Sequence, residues 1–195
     1  MNHFLKTIVL ASRSPRRKQL LEWAEIDFDI LVKDTDESYP DSISVEEIPV
    51  HIARNKANAV LTCSEFERYE SGNTILAADT IVVLEGEVIG KPENREQAIV
   101  TLEKLSGRIH KVITGVVIKA GEKETAFSDV TEVGFHELKK EEIEYYVDNY
   151  QPYDKAGSYA IQEWIGVVGI RFINGDFYNV MGLPVSRVVK ILRDM

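Results

Sequence analysis

The run Ile75-Leu76-Ala77-Ala78-Asp79-Thr80-Ile81-Val82-Val83-Leu84 limits what this chain can become more than any other stretch. Its apolar residues predict a strand, and Glu85-Gly86-Glu87 predicts a turn that sends the chain back through Val88 and Ile89. In the middle stands Asp79, whose ionised side chain is costly to bury without a partner. A carboxylate so placed serves a metal, a catalytic step or a structural ion pair. Thr80, the next residue, points to the opposite face of the strand, so the two side chains do not form one cluster.

Around this strand the sequence alternates element types without strict order. Ile8 to Ala11 and Phe28 to Val32 read as strands, and Val112 to Ile118 with Thr125 to Phe135 read as a hairpin around Gly121. Helices are expected from Ser14, a good N-cap with Pro15 in the first turn, and over Val50–Leu61, Arg95–Leu105, Lys140–Asn149 and Val185–Leu192. Asn174-Gly175, between Ile173 and Phe177, is a two-residue hairpin signal. The expected fold is α/β, a mixed twisted sheet flanked by helices. No repeat or low-complexity linker interrupts residues 1–195, which read as a single domain.

Charge narrows the partners. A formal net charge of -9 argues against a general nucleic-acid binder, which must neutralise phosphates over a basic surface. An anionic ligand would need its cationic contacts gathered locally. The one cysteine, Cys63, suits a reducing compartment and reads as a packing residue. The start, with Lys6 and a short apolar stretch, lacks a signal peptide's apolar region, and no run approaches the ~20 apolar residues of a membrane span. A cytoplasmic protein without membrane contact is expected.

Several polar residues sit where packing alone does not call for them. In Ser12-Arg13-Ser14-Pro15-Arg16-Arg17 two arginines occupy the first turn of a helix, where the macrodipole disfavours cations and free N–H groups gather. A bound phosphate would satisfy both; a solvated basic turn is the plainer alternative. Lys56 lies four residues from Ile52 and from Val60, inside an otherwise apolar stripe, from which it either snorkels outward or serves a site. Lys91 returns beside the Asp79 strand and faces either Asp79 or Thr80, depending on register. Asp36 and Glu37 could join Asp79 around a hard cation, since Mg²⁺ takes a few carboxylates plus phosphate oxygens. His3, His51, His110 and His136 show no metal-ligand spacing, and Walker A, GxSxG and GxGxxG patterns are absent.

Taken together, Leu10-Ala11-Ser12-Arg13-Ser14-Pro15-Arg16-Arg17, Arg54-Asn55-Lys56-Ala57, Ala78-Asp79-Thr80, Gly90-Lys91-Pro92, Leu105-Ser106-Gly107, Asp154-Lys155-Ala156-Gly157-Ser158-Tyr159 and Val180-Met181-Gly182-Leu183-Pro184 resemble the Maf family. These blocks recur in family order over nearly the whole chain. The resemblance implies a metal-dependent pyrophosphatase that cuts a nucleoside triphosphate to the monophosphate and pyrophosphate. It also implies an elongated fold similar to that of inosine triphosphate pyrophosphatases, commonly as a homodimer, with Mg²⁺ or alternatively Mn²⁺. On the family pattern Asp79 is the proton acceptor, and Arg16, Thr80 and Gln162 sort substrates, in the branch acting on dTTP and UTP. The remaining expected contacts are Ser12, Ser14, Arg17, Lys56, Lys91 and Lys155 to substrate, and Glu37 with Asp79 to metal. One stretch departs: the branch usually reads Gly-Ile-Gln-Gly where this chain reads Ala160-Ile161-Gln162-Glu163.

Two other readings compete. A related pyrophosphatase would act on purine or modified nucleotides, and a substrate panel separates it from the first. A nucleotide-binding regulator of cell division or septum formation would bind tightly without metal-dependent turnover.

Overall fold

In a computed structural model, described for residues 7–69 and 73–195, strands and helices alternate along most of the chain. The strands are β1 (Ile8–Leu10), β2 (Phe28–Ile30), β3 (Thr74–Leu84), β4 (Glu87–Ile89), β5 (Ile109–Ala120), β6 (Lys123–Phe135) and β7 (Ile170–Asn174). The helices are α1 (Pro15–Trp23), α2 (Ile48–Leu61), α3 (Arg95–Leu105), α4 (Lys140–Tyr150), α5 (Trp164–Gly169), α6 (Phe177–Met181) and α7 (Val185–Arg193). The sheet has the order β2-β1-β3-β5-β6-β7, with β4 also paired to β3. It is mixed, as expected: β1 runs parallel to β2 and β3, while β3 with β4 and β6 with β7 are antiparallel. His3 lies outside the described residues. Among those residues no helix is long and apolar enough to cross a membrane.

The chain divides into two compact units, Met1–Asp79 with Thr114–Asp129 and Gly182–Met195, and Thr80–Ile113 with Val130–Met181. The division falls inside β3, between Asp79 and Thr80.

In the first unit small residues let α2 lie close to the strands. Ala53, Ala57 and Val60 pack with Val9, Ala11, Ile75, Ala77 and Val117 in one cluster. A Cβ on Gly115 would come within 2.2 Å of the backbone at Pro49 and Val50, so β5 touches the start of α2 through a residue with no side chain. The outer side of α2 is tied down as well: Arg54 Nε donates to Glu124 Oε1 at 2.8 Å, and Lys119 pairs with Glu124 Oε2 at 2.9 Å.

The second unit is built around aromatic and aliphatic side chains, including Phe135, Tyr146, Leu102 and Leu105, all fully buried. Asn179 Nδ2 donates to Val112 O and to Thr131 Oγ1, which fastens α6 under β5 and β6. Here the expected Asn174-Gly175 hairpin gives way. β7 takes its partner from β6, with Glu132 opposite Asn174 and Val133 opposite Ile173, and the chain after Gly175 turns into α6. Asp176 Oδ1 accepts from Tyr178 N at 2.7 Å and starts that helix. Gly175, at φ +133°, is needed for close approach, because a Cβ there would stand 2.7 Å from Thr131 Oγ1.

Two stability experiments follow from this packing. Gly115→Ala should cost about 3 kcal/mol in urea unfolding, since backbone and not a flexible side chain occupies the space; an unchanged midpoint would mean that β5 does not seat α2. His110 is buried, and burial draws its pKa down to about 4. The unfolded chain, titrating near 6.5, takes up the proton first, so this stabilising contribution is complete above about pH 6.5 and declines as pH falls toward about 4. Between pH 7 and 5 the wild type should lose about 2 kcal/mol more stability than His110→Phe. An equal loss in both would contradict the neutral buried imidazole.

Candidate active site

β1 ends at Leu10, and a short loop carries the chain to Pro15, where α1 begins with Ser14 as its N-cap. The Ser14 hydroxyl accepts from Arg17 N over a long 3.5 Å, and the Ser12 hydroxyl accepts from Ser14 N at 3.2 Å. Ser12 Oγ also accepts from Arg17 Nη1 at 3.0 Å, while Arg17 Nε donates to Gly182 O at 2.8 Å. Arg17 is therefore buried and joins the loop to the segment that precedes α7. Burial draws its pKa down to about 10, with Asp79 and Glu37 opposing the shift and Arg16 adding to it, so the guanidinium stays charged at neutral pH. Arg16 is half-buried in the same turn. Arg13 pairs with Asp34 at 3.1 Å on the exposed surface.

The charge in the middle of β3 finds its partner on α2. Lys56 Nζ lies 2.7 Å from Asp79 Oδ1 and 2.8 Å from Glu37 Oε1, so one ammonium bridges both carboxylates. Asp79 and Lys56 keep 14% and 19% of their side chains exposed, whereas Glu37 keeps 52%, which leaves the group open on the Glu37 side. Lys56 thus turns from its apolar stripe to two carboxylates. Asp36 is occupied elsewhere: its carboxylate accepts from Ser38 N and Ser38 Oγ, contacts that lower its pKa.

The chemistry of this group suits a hard divalent cation. Two carboxylate oxygens already converge on one positive charge, and oxygen is the donor that Mg²⁺ prefers. Among the described residues no group of three or more His, Cys, Asp or Glu could hold a metal. The rest of such an ion's ligands would be phosphate oxygens and water. Two of the described histidines are engaged with other side chains: His51 Nε2 meets Asn55 Nδ2 at 3.2 Å, and His110 Nε2 meets Tyr159 Oη at 2.7 Å.

The remaining expected residues belong to the second unit. Thr80 is half-buried in β3. The pairing of Val82 with Ile89 sets a register that leads Lys91 toward Thr80, not Asp79, although β4 ends at Ile89 and Lys91 is exposed. Lys155 is buried and pairs with Asp154 Oδ1 at 2.8 Å and Glu163 Oε1 at 3.5 Å. Gln162 is exposed in the turn before α5. Glu163, one of the two departures from the usual Gly-Ile-Gln-Gly, accepts from the hydroxyl of buried Tyr146, which in turn accepts from Ala160 N at 3.1 Å. The larger side chain is absorbed into a network beside Gln162. Tyr159 packs edge-on against His110 and Phe135, and Trp164 against Tyr145.

The sequence carries no signal for the brace from Arg17 to Gly182 O, and a single one for the bond from Tyr146 to Glu163. The departure at Glu163 was the only pointer to the second.

Comparison with known proteins places this geometry in context. The Ham1 protein of Staphylococcus aureus is a structural neighbour with a TM-score of 0.44 and 17% identity, over 67% of this chain and 72% of that one. A dTTP/UTP pyrophosphatase of Cytophaga hutchinsonii is 51% identical over 100% of this chain and 87% of its own length. One of the same name from Parabacteroides distasonis is 52% identical over 95% of this chain and 94% of its own length. The family model described as Maf-like protein matches residues 7–195, and the chain belongs to the Maf family.

Proposed function

We propose that this chain hydrolyses nucleoside triphosphates, dTTP and UTP among them, to the nucleoside monophosphate and pyrophosphate. The observation that carries the reading is the carboxylate of Asp79, set in an apolar strand and joined to Glu37 through the Lys56 ammonium. The substrates come from the names of the two relatives that match nearly the whole chain.

In this reading a water molecule attacks the α–β phosphoanhydride. Its oxygen forms the new P–O bond, the bridging P–O bond breaks and pyrophosphate leaves. Asp79 orients the water and accepts its proton, a contribution of about 10²–10⁴ in rate. The N–H groups at the start of α1 and the Arg16 guanidinium take phosphate oxygens, with Ser12, Ser14 and Arg17 holding the turn in shape. Lys56, Lys91 and Lys155 supply further positive charge, and Thr80 contributes to substrate choice. Gln162, exposed and carrying both a donor and an acceptor, reads the pyrimidine edge. Glu37 and Asp79 would hold a divalent cation, Mg²⁺ before Mn²⁺, which supplies Lewis-acid neutralisation of charge on the phosphates. The reading includes a homodimer, on the family resemblance alone, and a cytoplasmic setting, which the lone Cys63 suits.

The Glu163 network beside Gln162 gives the second reading, a purine or modified nucleotide as substrate, its one specific support. Release of pyrophosphate across canonical and modified triphosphates, with and without divalent ion, decides between the two: dTTP and UTP should lead by at least about tenfold in kcat/KM, a difference of about 1.4 kcal/mol. Tight binding without turnover would instead favour a regulator. Asp79→Asn should lower kcat by about 10³-fold or more while the chain still unfolds in one cooperative transition, Lys56 keeping Glu37 as its partner. Near-normal turnover in that variant would remove Asp79 from the mechanism.

A further inference from the structure

Arg17 and Lys56, two cations of the first unit that interact with Asp79, differ in how they are held. Arg17 is fixed: its Nε donates to Gly182 O at 2.8 Å and its Nη1 to Ser12 Oγ at 3.0 Å. Lys56 is held through Nζ by two carboxylates, Asp79 at 2.7 Å and Glu37 at 2.8 Å. Its ammonium rides on a flexible four-carbon stem with three rotatable donors. It also stands in the place that a divalent ion bridging the same two carboxylates would need. Two cations cannot share that place, because their repulsion at such a separation exceeds what solvent screens.

We propose that Lys56 is the resident counter-cation of the Asp79–Glu37 pair and competes with the divalent ion for it. An incoming triphosphate offers the ammonium a new anionic partner, and its departure opens the carboxylates to the ion. Metal and nucleotide then favour each other's binding by more than their association in water accounts for, and the coupling is reciprocal. The half-exposed Glu37 supplies the open side through which the exchange occurs. The proposal rests on the reading that Glu37 and Asp79 hold the metal.

The test uses the full chain and measures binding, not turnover. Mn²⁺ alone is titrated by calorimetry into the wild type and into Lys56→Gln, Lys56→Met, Lys56→Arg and Asp79→Asn. Separately, a triphosphate analogue with an imido group between the α and β phosphorus atoms is titrated in the presence of a chelator. Lys56→Gln and Lys56→Met should bind Mn²⁺ about tenfold more tightly than wild type and bind the metal-free analogue about tenfold more weakly. Lys56→Arg should stay near wild type in the metal arm. A residue that only supports the fold would weaken both arms, so the crossed effect is the signature. Unchanged or weaker Mn²⁺ binding in both neutral variants overturns the competition. Two neutral variants are used so that poor folding of one leaves the comparison intact. Asp79→Asn reports on the underlying reading: if it keeps wild-type Mn²⁺ affinity, the carboxylates are not the metal site and that reading itself fails.

Discussion

The ammonium of Lys56, set between Asp79 and Glu37, is the contact on which the first unit's polar architecture depends. Asp79 follows buried Ala78 in its strand, with buried Ile81 two residues on, and its charge would be costly there without a partner. The partner reaches it because α2 lies close to the strands, and α2 lies close because Ala53, Ala57 and Gly115 present almost nothing at the contact. Small residues in the core thus set the position of a charged residue at its edge.

Arg17 shows how a basic turn is made from parts that do different work. Two adjacent arginines in a helix's first turn suggest two phosphate ligands. In the structure one of them also braces the protein itself: the Arg17 guanidinium is buried, drawn down in pKa by that burial, and donates to Ser12 Oγ and Gly182 O. Fixing the loop in this way keeps the N–H groups of the α1 start aimed in one direction. The segment from Gly182, distant in sequence, becomes a structural support of the turn.

The second unit accommodates an unusual residue by a similar economy. Glu163 stands where the family resemblance led to an expectation of glycine, and its carboxylate is engaged by Tyr146 and Lys155. The bond from Ala160 N to Tyr146 Oη fixes the first residue of the same turn. Gln162 therefore sits between two anchored neighbours, and the turn keeps a defined shape without either glycine. Lys155, buried with Asp154 and Glu163 around it, has its charge balanced in part by Glu163.

Much of the architecture was legible in the sequence because it is local. The Asp79 strand, the Gly86 turn, the Ser14 cap with Pro15 and the helix over Arg95–Leu105 follow from periodicity, capping and turn chemistry within a few residues. The apolar face of α2 was readable for the same reason, as were the residue types that could serve phosphate and metal. The Asn174-Gly175 turn failed because its short-range signal does not reveal that β7 pairs backward with β6. Which of Asp36 and Glu37 meets Lys56, which arginine is a brace, and where Glu163 sends its carboxylate were all decided by tertiary structure. Each depends on contacts between segments far apart in the chain, whose distances arise only when helices and strands have packed. The sequence by itself determined the elements and the chemistry available to them; packing alone decided which charges meet.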